Sequence, residues 1–363
     1  MALLEFTDIG IYCRAADVYI DPWRKVDRAI ITHAHADHSR SGMGHYLAHP
    51  ISEPVMRLRL GKDINVQTAE YGETTTINGV KFTFYPAGHI PGSAQVKAEG
   101  QNETWVVTGD YKLEDDGLST AWEPVACSHF ITESTFGLPI YKWQPQAEIF
   151  ADINRWWASN AAEGICTVIF AYSLGKAQRV LAHLDRAIGP VLLHGAVYNT
   201  NQALAGHYPF LATFPKVEAS TPKELYRTAL IVAPPAAYGT PWLRKMAPLA
   251  TGVCSGWMAV RGARRRRNAD RGFVLSDHAD WTSLNEAVRL TGAQHIYATH
   301  GYTASYARYL REAMPGIDAH EVHTLFGGDE ESDGADLALE TESGTTESGT
   351  TEPTSPDGPT FAP

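Results

Sequence analysis

The chain has 363 residues, 44% of them hydrophobic and 20% charged, so it is long enough for two domains and can bury a sizeable core. The four cysteines are widely spaced and show no CxxC spacing, which argues against a secreted scaffold held by disulfides and against a thiolate zinc site. The N-terminus lacks a basic segment followed by a long apolar stretch, which argues against a signal peptide and a membrane anchor. The formal net charge of −11 does not exclude a nucleic-acid ligand, because from Asp329 onward there are ten acidic residues and no lysine or arginine, which leaves the rest of the chain nearly neutral.

The first motif with chemistry is a histidine-rich run that follows the apolar, strand-like residues 29–31. It reads His33-Ala34-His35-Ala36-Asp37-His38. On an extended segment, residues two apart point the same way, so His33 and His35 can hold one ion. Asp37 and His38 follow at a turn and would address a second ion. Imidazole and carboxylate are the ligands of catalytic zinc. The alternative interpretation is a surface loop that is rich in histidine and binds no metal.

Three further ligand candidates each follow an apolar run that predicts a strand. Side chains at strand ends converge on one edge of a sheet, where loops on a rigid scaffold build active sites. The alternative for each is a satisfied turn or strand-end residue. The candidates are His89 after residues 82–85, Asp110 after residues 105–107, and His300 after residues 295–298.

Residues 146–271 interrupt this series of ligand candidates. Apolar strands are predicted at 166–170, 191–193 and 230–233, and helices from about Lys176 and about Asn199. Residues 242–246 follow the third strand. Short strands that alternate with helices favour a parallel sheet, and therefore a domain inserted into another domain.

Two basic segments of this block could contact phosphate. Ser173, Lys176 and Arg179 open a predicted helix, whose N-terminal amides suit an anion, although an ordinary capped turn fits equally well. The second segment has five arginines within seven positions, which could bind the phosphates of a nucleic-acid backbone or form a solvated loop. They are Arg261, Arg264, Arg265, Arg266 and Arg267.

The last segment, residues 329–363, carries a tandem repeat of Thr-Glu-Ser-Gly-Thr at 341–350. Serine, threonine, glycine, glutamate and proline dominate it, so the composition predicts a disordered acidic tail. Such a tail is either a solvated appendage or a competitor of nucleic acid for a basic surface.

Taken together, these motifs resemble the metallo-β-lactamase superfamily and, within it, the β-CASP nucleases. The histidine run, His89 and Asp110 match the superfamily pattern, and Asp21 matches an aspartate that orients the histidine loop. The match spans about residue 10 to about residue 325. The additional β-CASP motifs are matched by Glu133 in Thr-Glu-Ser-Thr, His278 in Ser-Asp-His-Ala-Asp, and His300 in Thr-His-Gly. The stretch 255–281 is similar to bacterial exonucleases associated with DNA ligase.

The resemblance implies an α/β (α+β) fold: a four-layer αββα sandwich with an inserted β-CASP domain built on a parallel sheet. The implied boundaries are 1–145 and 272–326 for the two parts of the metallo-β-lactamase domain, 146–271 for the insertion and 329–363 for the tail.

It also implies two Zn²⁺ ions, or Mn²⁺, since histidine and carboxylate serve both. His33, His35 and His89 would bind one ion; Asp37, His38 and His300 would bind the other; Asp110 would bridge them. A bridging hydroxide would attack phosphorus. His278 would stabilise or protonate the reacting oxygens, with Glu133 orienting it. Asp280 would assist, or merely cap a helix.

The function implied is a metal-dependent DNA exonuclease in repair, acting on single strands or duplex ends, with a DNA ligase or helicase as a possible partner. An RNA-processing nuclease is the alternative. A small-molecule metallohydrolase is disfavoured because it needs neither a cap domain nor an arginine track, and an inactive scaffold because every expected ligand type is present.

Overall fold

The computed structural model describes residues 2–260 and 269–324. Over this part the protein has a mixed α/β fold, as the sequence predicts, built on three sheets. The first sheet has six short strands that lie side by side in chain order. They are β1 Glu5–Phe6, β2 Ile11–Cys13, β3 Val18–Ile20, β4 Arg28–Ile30, β5 His45–Ala48 and β6 Val66–Thr68.

The second sheet has seven strands in the order β18-β17-β11-β10-β9-β8-β7. Its strands from β7 to β10 are antiparallel neighbours, whereas β10, β11, β17 and β18 run parallel. The bounds are β7 Thr74–Ile77, β8 Val80–Pro86, β9 Ala94–Gly100, β10 Glu103–Val107, β11 His129–Glu133, β17 His295–Thr299 and β18 Asp318–Glu321.

The third sheet is entirely parallel and is formed by the block that the sequence marks as inserted, although its last strand runs two residues past the expected end at residue 271. Its order is β13-β14-β12-β15-β16. The strands are β12 Cys166–Phe170, β13 Val191–Leu193, β14 Leu230–Ala233, β15 Leu249–Cys254 and β16 Arg271–Phe273. The helices of the block are α2 Gln146–Ala162, α3 Lys176–Ala182, α4 Gly195–Leu204 and α5 Lys223–Tyr226. Short 3₁₀ helices span Pro209–Thr213, Pro235–Ala237, Pro241–Met246 and Gly256–Ala259.

Helix α4 begins four residues before the expected position, at Gly195 instead of about Asn199. The reason is a cap that the apolar pattern does not reveal: the Ala196 amide donates to His194 Nδ1 at 3.1 Å. The tryptophan pair at 156 and 157 serves packing. Trp157 is fully buried and donates its indole N–H to the Thr228 carbonyl, and Trp156 packs on Phe273.

The first two sheets pack face to face. Ile20, Ile30 and Leu47 of the first sheet share one buried apolar cluster with Phe82 and Trp105 of the second. The opposite face of the second sheet is covered by α6 Trp281–Thr291 and α7 Thr303–Ala313, whose apolar stripes form a separate cluster with it. Burial of these faces from water is the main stabilising contribution.

The inserted block shares a continuous core with the first sheet. Ala29 and Tyr46 belong to the same buried cluster as Trp157, Ile169 and Leu193 of the block. Helix α1, Glu53–Leu60, also packs against α4. The loop that opens α3 contacts the segments that follow β4 and β8, because Leu174 meets His35 and Gly175 packs against Ile90.

The arginine run at 261–267 and the acidic tail at 329–363 lie outside the described residues. Over the described part, no helix combines the length and apolarity that a membrane crossing requires. The four cysteines all lie in that part and form no disulfide with one another.

Candidate metal centre

The loop after β4 is fixed by Asp21, which itself adopts a left-handed backbone conformation (φ 45°) that aspartate tolerates better than most residues. The Thr32 amide donates to Asp21 Oδ1 at 2.8 Å, and the Thr32 hydroxyl donates to Oδ2 at 2.6 Å. His38 Nδ1 also donates to Asp21 Oδ2, at 2.8 Å. Because Nδ1 is held this way, Nε2 of His38 is the atom turned toward the other ligand candidates.

Three imidazole nitrogens converge to form a first ligand group. His35 Nδ1 lies 3.2 Å from His33 Nε2 and 3.2 Å from His89 Nε2. Ligand atoms on a tetrahedron with zinc–nitrogen distances of 2.0–2.1 Å stand about 3.3 Å apart. The spacing therefore fits a single ion, and the structure brings together the three residues that the sequence assigns to one ligand group.

Two of the three remote nitrogens of this group are held by backbone carbonyls, and the third, His33 Nδ1, lies 3.1 Å from the Thr32 hydroxyl oxygen. His35 Nε2 donates to the Leu174 carbonyl at 3.3 Å, and His89 Nδ1 donates to the Asp277 carbonyl at 2.9 Å. A carbonyl only accepts, so these contacts assign the protons to the outer nitrogens and leave lone pairs on the converging ones. Sequence reasoning did not find Leu174 or Asp277, although the position of Asp277 directly before His278 was a usable signal.

A second group forms beside the first from Asp37, His38 and His300. Asp37 Oδ2 lies 3.5 Å from His38 Nε2 and 3.8 Å from His300 Nε2. The rings of His38 and His300 stack at 5.1 Å. His300 follows β17 of the second sheet, whereas Asp37 and His38 follow β4 of the first, so these residues meet because the two sheets pack face to face.

Asp110 lies between the two groups. Its Oδ2 is 3.6 Å from His33 Nε2, 3.8 Å from His89 Nε2 and 3.5 Å from His38 Nε2. The turn depends on Gly109 (φ 56°), where a Cβ would lie 2.5 Å from Thr32 Oγ1. Both Asp110 oxygens are buried, and neither has a hydrogen-bond partner among the described residues. A buried carboxylate left in this state fits a bound cation.

The electrostatics of the groups also suit a cation. Burial lowers the pKa of His89 to about 3 and the pKa of His33 well below its usual value, so both rings are neutral at pH 7. Burial opposes ionisation of Asp110, but His38 and His300 outweigh it and hold the Asp110 pKa well below its usual value. Neutral His33 and His89 beside an ionised Asp110 are the protonation states in which these side chains bind metal. Burial opposes protonation of His38, but Asp37, Asp110 and Asp21 outweigh it and raise the His38 pKa well above its usual value, so a cation bound there would displace a proton.

His278 and Glu133 form a hydrogen-bonded pair beside Asp110. His278 Nδ1 lies 2.9 Å and 3.1 Å from the two Glu133 oxygens, and Glu133 Oε1 also accepts the Tyr111 amide at 2.8 Å. A carboxylate accepts, so Nδ1 carries a proton and chemistry on a substrate falls to Nε2. The His278 ring is 4.6 Å from the His89 ring, and its carbonyl accepts the Trp143 indole N–H.

Asp280 caps a helix, which is one of the two roles that the sequence allows. Its Oδ1 accepts the Ser283 amide at the start of α6, at 2.8 Å, and its Oδ2 accepts the Trp143 amide at 3.0 Å. Both contacts hold the segment that carries His278, so Asp280 acts on the site through backbone placement.

The basic residues at the start of α3 have a different partner from the one expected. Lys176 and Arg179 are 2% exposed and pair with Asp277, at 3.7 Å and 3.1 Å. Burial opposes ionisation of Asp277, but these two cations hold its pKa below the usual value. The Ser173 hydroxyl oxygen is buried without a hydrogen-bond partner in the described part of the chain. A phosphate contact at this helix therefore stays a prediction, as do contacts by the arginines at 261–267.

His49 lies outside the metal centre and offers a test of stability against pH. Its ring stacks on Tyr71, Nδ1 accepts the Ile51 amide, and burial lowers its pKa to about 4. The folded state thus takes up this proton only near pH 4, whereas the unfolded state takes it up near pH 6.5. The free energy of unfolding should fall between pH 6.5 and 4 by up to about 1.4 kcal/mol per pH unit from this group. The measurement is urea denaturation of metal-free protein at pH 7.5, 5.5 and 4.5. The free energy of unfolding of His49→Gln should fall less on acidification than that of the parent. An equal fall in both proteins would contradict the expectation.

Comparison with known proteins identifies relatives of this chain, although no family model matches it. The chain is 30% identical over 315 residues to a probable DNA ligase of Opitutus terrae, covering 85% of this chain and 30% of that protein. It is 25% identical over 300 residues to the endoribonuclease ysh1 of Schizosaccharomyces pombe, covering 69% of this chain and 39% of that protein. This chain thus spans about a third of the length of these relatives.

Among solved structures, the chain is similar to a protein of unknown function from Enterococcus faecalis. The TM-score is 0.56 at 11% sequence identity, over 82% of this chain and 79% of that one. At this identity, the likeness concerns the fold alone.

Proposed function

We propose that this chain, which belongs to the β-CASP branch of the metallo-β-lactamase superfamily, is a metal-dependent nuclease that hydrolyses phosphodiester bonds of DNA. The observation that carries the proposal is the shared carboxylate: Asp110 stands within 3.8 Å of imidazole nitrogens from both ligand groups, with the His278–Glu133 pair beside it. Two adjacent cation sites next to a protonated imidazole suit a phosphodiester, whose negative charge and leaving oxygen both need stabilisation.

The ligand groups define which residues would hold metal. His33, His35 and His89 would hold one Zn²⁺ or Mn²⁺, and Asp37, His38 and His300 a second, with Asp110 shared. When bound, such ions supply charge neutralisation and a water that is nucleophilic near neutral pH. Asp21, through Thr32 and His38, keeps the loop in place for both groups.

The chain's own acid is His278. As the bond between phosphorus and the leaving oxygen breaks, His278 Nε2 gives its proton to that oxygen, which departs as an alcohol. Glu133 keeps the proton on Nδ1 and stabilises the positive charge that the ring carries before transfer. The Tyr111 amide, in the segment after β10, holds Glu133 at the end of β11 in turn.

The architecture supports a polymeric substrate. We assign residues 1–145 and 272–326 to a four-layer αββα metallo-β-lactamase domain, and residues 146–271 to an inserted β-CASP domain. In this arrangement the insertion borders the metal centre, because Leu174 contacts His35 directly. A domain at this place offers a polymeric substrate a second contact surface, which a small molecule does not need.

DNA is the preferred substrate because a relative named as a probable DNA ligase aligns over 85% of this chain. Exonuclease action in repair, with a DNA ligase or helicase as partner, follows from the resemblance in residues 255–281. RNA is the second candidate, because a relative named as an endoribonuclease aligns over 69% of the chain. A requirement for a 2′-hydroxyl would separate the two, since it implies specific contacts to ribose.

The proposal is tested with end-labelled single-stranded DNA, RNA of the same sequence and a circular DNA strand, each with Zn²⁺ or Mn²⁺. The expected result is stepwise shortening of linear DNA, no cutting of the circle, and loss of activity in Asp37→Ala/His38→Ala. Cleavage of RNA alone would transfer the chain to the RNA-processing branch. Cutting of the circle would make it an endonuclease, and no cleavage of any strand would contradict a nuclease and favour a small-molecule substrate.

A further inference from the structure

A buried ion cluster joins the inserted block to the segment that carries His278. Asp277 is 3% exposed, and its two carboxylate oxygens face Arg179 Nη1 at 3.1 Å and Lys176 Nζ at 3.7 Å. Arg179 Nη1 also donates to the Ser276 carbonyl at 2.6 Å. Both cations come from α3 of the inserted block, whereas Asp277 lies nearly a hundred residues further along the chain.

The same Asp277 touches the first ligand group through its backbone. Its carbonyl accepts the proton on His89 Nδ1 at 2.9 Å, which sets the rotation of that ring. The loop before α3 acts likewise on His35, because the Leu174 carbonyl accepts from His35 Nε2. Two of the three imidazoles in the first group are therefore oriented by the inserted block, one directly and one through Asp277.

The seam between the block and the His89 loop is tightly packed. Gly175 adopts φ 87°, and a Cβ on it would lie 2.2 Å from Cγ2 of Ile90, the residue after His89. Gln146, at the start of α2, accepts from Arg179 Nε at 3.0 Å and Nη2 at 2.9 Å. The guanidinium is thus held on three sides, so its position fixes that of Asp277.

We propose that Arg179 and Lys176 are positioning residues of the metal centre: by holding Asp277, they lock the His89 ring in its ligating orientation, so that metal affinity depends on the seating of the inserted block. The inference rests on the proposed metal-dependent function, but concerns binding and not cleavage. Removal of one partner from a buried charge pair leaves an uncompensated charge, which moves the chain around it. Loss of such outer contacts to a ligating histidine commonly weakens metal binding about 10–100-fold.

The test is a Zn²⁺ titration of chelator-stripped full-length protein in competition with a chromophoric chelator. Arg179→Met and Lys176→Met should each weaken one binding step about 10–100-fold and leave the other within about threefold. Arg179→Lys, which keeps the charge, should recover part of the loss. Arg155→Met is the matched control, because Arg155 is an exposed arginine of the same block that pairs with Asp152.

Unchanged affinity in folded Arg179→Met and Lys176→Met would overturn the proposal, and so would equal weakening of both steps, which signals general damage. Circular dichroism checks the fold; if Arg179→Met does not fold, Lys176→Met decides, because it removes a single, longer contact. The outcome is separable from that of the nuclease proposal. A parent that binds Zn²⁺ but cleaves no nucleic acid would refute the nuclease and leave this inference intact, whereas a parent that binds no Zn²⁺ would refute both.

Discussion

Asp110→Asn should reduce phosphodiester hydrolysis by at least about 1,000-fold and lower the amount of metal bound per chain. The substitution keeps the shape of the side chain but removes its charge and places an N–H₂ donor where an acceptor stands. Both oxygens of Asp110 are buried, and Oδ2 faces imidazoles of both ligand groups. Metal ions contribute several kcal/mol to charge stabilisation in such reactions, and about 4 kcal/mol corresponds to about 1,000-fold in rate.

The measurement pairs initial rates on linear DNA with metal content by mass spectrometry after dialysis. Asp116→Asn is the control: Asp116 is also buried, and over the described part of the chain its carboxylate accepts hydrogen bonds from Leu118 and Ser119 and from no ligand candidate. That variant should keep its metal and most of its rate. If Asp110→Asn kept its metal and a rate within about tenfold of the parent, Asp110 would not be the shared ligand.

Single ligand candidates could be foreseen from the sequence because each is marked by its neighbours along the chain. His33 and His35 are two apart on an extended segment, and the remaining candidates each end a recognisable strand. Their grouping around two ions came from the resemblance to the metallo-β-lactamase superfamily, because the histidine run follows a strand of the first sheet and His300 a strand of the second, and the sequence pattern does not give the packing of the two sheets. The parallel sheet of the inserted block was equally readable, from three apolar runs that the structure contains as β12, β13 and β14.

The roles of Lys176 and Arg179 could not be foreseen in this way. A lysine and an arginine at the start of a helix indicate an anion site, but the sequence does not say which anion. The anion in the structure is Asp277, which arrives from a distant segment across a tertiary contact. For the same reason, no sequence pattern near these residues predicts the contacts of Leu174 with His35 and of Trp143 with His278. Outer contacts are set by packing between segments, and pattern and propensity report only on neighbours along the chain.

His278→Gln should slow cleavage of DNA by about 100–10,000-fold, the usual contribution of a general acid, while metal content stays unchanged. The loss should shrink to about tenfold or less on a nucleotide ester of p-nitrophenol, because that leaving group departs without a proton. Glu133→Gln should show the same dependence on the leaving group with a smaller loss, since it keeps an oxygen acceptor for Nδ1 but removes the charge. His129→Gln is the control, because His129 stacks on Trp105 and His295, away from both ligand groups.

The comparison of the two substrates is what identifies the role. The buried pair with Glu133 would look the same if His278 only supported His89, whose ring lies 4.6 Å away. A supporting role would slow both substrates equally and lower metal affinity, since the reacting phosphate would be bound less well whatever its leaving group. A general acid slows only the substrate that needs a proton. An equal loss on both esters would therefore remove His278 from the proton-transfer step and assign the pair to the support of the metal centre.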